Sequence, residues 1–86
     1  NWAAHFYLGW ALLENDGEKA GERFRRALEI DERKAVRAYL ALARLAHERG
    51  QRDQAVQLLE TYLALVPEGT DAEAARRLAA TLRSPE

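Results

Sequence analysis

The stretch FYLGWALLENDG, residues 6–17, decides the fold of this chain. Its apolar residues recur at helical spacing, and the Asn-Asp-Gly that follows favours a tight reversal, so a helix of about residues 2–15 is expected to end in a turn. Gly9 lies in the middle of the apolar run. In an exposed helix interior a glycine costs about 1 kcal/mol relative to alanine. Something at that position must offset the cost.

Outward from this stretch, leucine and alanine keep the same spacing, and no segment shows the period-two alternation of a half-buried strand. Four further helices are predicted. The second runs from about Glu18 to Ile30. Asp31 can cap a third, from about Arg33 to Arg49, which Gly50 closes in the left-handed conformation common at helix ends. The fourth covers about Asp53 to Val66, after which Pro67 and Gly69 break the chain. TDAE at 70–73 has the capping-box form, with Thr70 as cap and Glu73 reaching back, and opens a fifth helix over about 71–83. The connections are short, so sequential helices should pack as antiparallel hairpins.

The hairpins repeat. Leu8 and Gly9 stand 34 residues before Leu42 and Ala43, and Ala20, Phe24, Ala27 and Ile30 stand 35 before Ala55, Leu59, Tyr62 and Leu65. A helical-pair period near 34 with a W-x2-L-G-x2-Y, A-x3-F, P pattern resembles the tetratricopeptide repeat. The first unit, about 2–32, carries Leu8 and Gly9 at the L-G step and Ala20 with Phe24, while His5, Leu12 and Glu32 replace the pattern's Trp, Tyr and Pro. The second, about 35–68, carries Tyr39, Leu42, Ala43, Ala46, Ala55, Leu59 and Pro67. Ala75, Leu78, Ala79 and Leu82 repeat the spacing in a terminal helix over about 71–83.

The resemblance implies an all-α fold, a right-handed α-α superhelix of about five helices forming a single domain over residues 1–86. It also accounts for Gly9. In such a hairpin the position after Leu8 must be small because large side chains of the partner helix, Phe24 among them, pass over it. Gly9 and Ala43 are both small.

Composition narrows the function. Thirteen basic residues against fourteen acidic ones give a net charge of -1, which provides no field to steer the chain onto nucleic acid or an anionic membrane. Without cysteine there is no disulfide framework or thiolate zinc site. No apolar stretch approaches the roughly 20 residues that span a bilayer, and no basic-then-apolar leader opens the chain, so a soluble unit is expected, its compartment left open between cytoplasm and periplasm. Asn1 at the start and the lack of methionine point to a segment of a longer protein.

Chemistry is not expected. His5 and His47 have no second ligand at i+4, the glycine-bearing turns lack the spacing and lysine of a phosphate cradle, and Ser84, the one serine, has no paired base. No catalytic residue, metal or cofactor is assigned. The expected role is a protein-interaction scaffold, because the resemblance places the first helix of each pair on the concave side of a solenoid. Phe6, Trp10 and Leu13 of the first helix, Arg37, Leu40, Arg44 and His47 of the third, and Arg76 of the fifth share that side by their i, i+3, i+4, i+7 spacing. Aromatic side chains anchor buried partner residues and arginine forks onto carboxylates, so an extended or helical peptide with apolar and acidic residues is the expected partner. Ala4, Tyr7 and Ala11 give the first helix a second apolar side, which predicts burial by a neighbouring repeat or self-association. Two other roles fit the same sequence: a structural or homo-oligomerising segment of a longer array, and a regulatory appendage of a multidomain enzyme.

Overall fold

In a computed structural model, which describes residues 1–84, the chain forms five helices: α1 (Trp2–Leu12), α2 (Gly17–Ile30), α3 (Ala38–Glu48), α4 (Arg52–Leu65) and α5 (Thr70–Arg83). Each packs on its sequence neighbours. The molecule measures 38 × 27 × 18 Å, and the shortest dimension matches two helix diameters of roughly 10 Å, so the hairpins stack as two layers.

Helix ends follow local chemistry. Asn1 starts α1 by accepting the Ala3 N–H on Oδ1 at 2.9 Å. Regular helix stops at Leu12, three residues short of the expected end. The carbonyl of Leu12 takes the N–H groups of both Asn15 and Asp16, because Asp16 must already turn to cap α2 by accepting the Lys19 N–H at 3.1 Å.

The third helix also starts later than its spacing predicts, at Ala38 instead of about Arg33. Asp31 does cap this segment, accepting the Lys34 N–H at 3.1 Å, and one α-turn follows. The chain then tightens, with Ala38, Tyr39 and Leu40 donating to carbonyls only three residues back. Such turns eclipse residues i and i+3, and here they put Ala35 and Ala38 together in the core with no exposed surface on either. The Tyr39 hydroxyl closes the segment by donating to Glu32 Oε2 at 2.5 Å.

Gly50 ends α3 as expected, at φ +76°. Its N–H reaches the His47 carbonyl while the Gln51 N–H reaches that of Ala46, the double bond of a Schellman ending. The capping box at 70–73 does not form. Gly69 occupies the cap position at φ +119°, which lets Thr70 enter the helix, and Glu73 donates its backbone N–H to the Gly69 carbonyl.

The core has two parts divided by α3. Phe6, Leu13, Ala20, Phe24 and Ala27 pack with Ala38, Ala41, Leu42 and Leu45 on one side of it. Ala43 and Ala46, on the other, pack with Ala55, Leu59, Tyr62, Ala75, Ala79 and Leu82. Gly9 is buried where Phe24, itself without exposed surface, crosses α1. A methyl group at Gly9 would lie 2.9 to 3.0 Å from three atoms of the Phe24 ring. The glycine is therefore required by contact: its helix cost is repaid by a ring seated on bare backbone.

Burial, reinforced by the Glu32 hydrogen bond and charge, pushes the Tyr39 phenol up to about 12. An unfolded tyrosine titrates near pH ~10. The folded state holds the proton more tightly, so this stabilisation is fully present below ~10 and is lost as pH rises through about 12. Melting temperature should fall across that window, and Tyr39→Phe should flatten the fall; an unchanged slope in the variant would remove Tyr39 as its source.

Candidate functional site

The residues expected on the concave side start from α1. Phe6 and Leu13, each 9% exposed, are held in the first core and cannot contact a partner directly. Trp10 is different. Its ring packs edge-on to Phe24 at 5.6 Å and to Phe6 at 6.1 Å, yet 41% of the residue stays open. A ring fixed on one side and exposed on the other is a preorganised apolar anchor.

The arginines expected beside it already have partners. Arg44 donates from Nε to Glu48 at 3.0 Å and from Nη2 to Glu14 at 3.2 Å, and these bonds raise its pKa, Glu48 contributing most. Arg37 lies 3.4 Å from Asp71, and Arg76 Nη1 donates to the Pro67 carbonyl at 2.8 Å. His47 is exposed and Leu40 half-buried against the second core. Glu14 stands one turn beyond Trp10, so the Arg44–Glu14 pair brings Arg44 to the Trp10 side of α1. These are exposed pairs in water and are individually weak, which leaves each guanidinium able to exchange its carboxylate for a partner's. The i, i+4 spacing of Arg44 and Glu48 was legible in the sequence; Glu14 and Asp71 come from other elements of the chain and carried no local signal.

The second apolar side of α1 is open. Tyr7 is 66% exposed and Leu8 40%, with Ala4 and Ala11 exposed on the same stripe. Counted 34 residues on, the stripe corresponds to Ala38, Ala41, Leu42 and Leu45, which α3 buries in the core it shares with α2. On the opposite edge of α1, partial burial and the Arg23 guanidinium, 3.2 Å away, lower the pKa of His5 and favour its neutral form. No group of three His, Cys, Asp or Glu residues converges on a metal-sized space among the described residues.

Two stacked helical pairs with a further helix, and small residues at both crossings, agree with a match to the family model of the tetratricopeptide repeat over residues 11–82. The chain belongs to the tetratricopeptide repeat family. The matched span enters at the end of α1 and runs through α5, so it includes the terminal helix and leaves out Leu8 and Gly9. No curated protein and no solved structure matches the chain. Tetratricopeptide repeats generally mediate protein–protein interaction. No helix among the described residues is long and apolar enough to cross a membrane.

Proposed function

We propose that this tetratricopeptide module binds a partner polypeptide on the side of α1 and α3 that carries Trp10 and Arg44. The observation that supports this most is the half-open Trp10 ring, fixed by Phe6 and Phe24 and flanked through Glu14 by the Arg44 guanidinium. An apolar partner side chain covers the indole, and an adjacent carboxylate displaces Glu14 from Arg44. Leu40 extends the apolar strip, while Arg37, His47 and Arg76 line its continuation toward α5. Phe6 acts from beneath, edge-on to the ring, and Leu13 lies with it in the first core.

Binding of a fluorescein-labelled peptide of alternating leucine and glutamate tests this by anisotropy. Affinity should fall as salt is added, and Arg44→Glu should weaken binding by about tenfold, since it turns an attraction into a repulsion. Unchanged affinity in Arg44→Glu would be incompatible with the groove.

A second use of the scaffold is favoured by the open Ala4, Tyr7, Leu8 and Ala11 stripe, whose repeat equivalents on α3 are buried. We propose that this stripe is an assembly surface, covered by the second helix of another repeat or by another copy. Light scattering over a concentration series should show mass rising with concentration, and Leu8→Glu should abolish the rise; a constant monomer mass would argue against self-assembly.

A further inference from the structure

Two further arginines beside an apolar surface lie on the other side of the molecule. Around α3, Leu42 and Ala46 are each two residues from Arg44, about 200° away at 100° per residue, so they face away from the Trp10 side. There α2 and α4 flank α3 without packing firmly on one another, and a cleft of about 460 Å³ opens between them. Its floor is apolar, formed by Leu28, Leu42, Leu45 and Leu58.

Two guanidiniums overhang this floor from the α2 edge. Arg25 folds back over Gly21, with Nη2 3.4 Å from where a methyl group on that glycine would sit. Arg49 reaches in from the end of α3, with Nη2 3.9 Å from the corresponding point on Gly17. Neither makes an ion pair or a side-chain hydrogen bond among the described residues, whereas Arg37, Arg44, Arg76 and Arg83 all do. Glu29, the acidic residue on the cleft wall, is taken by Arg26 at 3.1 Å. Two cations that no described residue pairs thus stand beside an apolar trough, where a partner's carboxylates can meet them.

We propose that this cleft is a second binding site, separate from the Trp10 side, for a short acidic-apolar segment of a partner protein. One bulky apolar side chain lies on the leucine floor, and flanking carboxylates fork onto Arg25 and Arg49. Covering the cleft removes water from around both pairs and so strengthens them. Gln54 on the rim is placed to hydrogen-bond the backbone of the segment. The recognition is that of a peptide: an apolar group and two separated charges must be met together.

The test uses the leucine–glutamate peptide with the isotopically labelled protein. Amide shifts should move at Gly17, Gly21 and Gln54, and the peptide concentration that half-saturates those three shifts should rise about tenfold or more in the double variant Arg25→Glu, Arg49→Glu, with an intermediate rise in the neutral pair Arg25→Gln, Arg49→Gln. Both arginines are exposed, so unchanged circular dichroism is expected in each variant. A leucine–lysine peptide should not bind. Wild-type half-saturation of those three shifts in the glutamate double variant, shifts confined to residues around Trp10 and Arg44, or tight binding of the lysine peptide would each overturn the proposal. Because Arg44→Glu reports on the other side alone, the two sites can fail independently.

Discussion

Phe24→Ala is expected to remove about 3–5 kcal/mol of stability, the usual cost of emptying a fully buried phenylalanine site. Phe24 has no exposed surface and touches α1 on three fronts: edge-on to Phe6 at 5.9 Å, edge-on to Trp10 at 5.6 Å, and against the bare backbone of Gly9. Native stability of about 0.05–0.15 kcal/mol per residue gives a domain of this size roughly 4–13 kcal/mol in all. The substitution therefore takes a large share of the total, and α1 should detach before the rest. Urea unfolding followed by circular dichroism should show a much lower midpoint, and Trp10 emission should shift to the red as its ring loses its support. A loss under about 1 kcal/mol would mean that α1 is not held by this ring.

Gly9→Leu should cost about 2 kcal/mol or more from the other partner of the same contact. Leucine gains close to 1 kcal/mol of helix propensity over glycine, but even its first side-chain carbon would lie 2.9 Å from the ring. Overpacking of a filled core typically costs about 1–3 kcal/mol, and with three more carbons to place the cost here lies at the top of that range or above it. Phe24 is fully buried and packed edge-on against Phe6 and Trp10, so its ring can yield only by displacing them and loosening the hairpin. At about 4–8 °C per kcal/mol the melting temperature should drop by roughly 10 °C or more. A rise in melting temperature would show that propensity outweighs the contact.

What the sequence made legible is local or repeated. Five helices, the Gly50 ending, the Asp31 cap and the small residues at 9 and 43 could each be read from spacing and turn chemistry within one unit or its copy. Phe6 and Leu13 illustrate the limit. Because α1 is apolar nearly all round, periodicity does not say which side meets α2, and two residues expected on the open side lie in the core. Trp10 remained open because it sits at the edge of that core. Thr70 failed as a cap since Gly69, by taking φ +119°, let the helix begin one residue early. The arginine pairs were hidden for a different reason: Glu14 meets Arg44 across 30 residues of chain, and only the stacking of hairpins brings them together. The cleft of Arg25 and Arg49 has the same origin, since its floor and walls come from three helices.

The second hairpin already contains the compensated form of the first one's contact. Where the first pairs Gly9 with Phe24, the second has Ala43 and Leu59, both buried in one cluster: a larger residue on one helix and a smaller one on the other. A double-mutant cycle of Gly9→Ala and Phe24→Leu, with unfolding free energies measured for all four proteins, tests directly whether the small residue exists to admit the ring. Gly9→Ala should destabilise the native protein and become neutral or stabilising, by up to about 1 kcal/mol, once leucine replaces Phe24 and only helix propensity remains. Equal effects of Gly9→Ala in the two backgrounds would contradict the account.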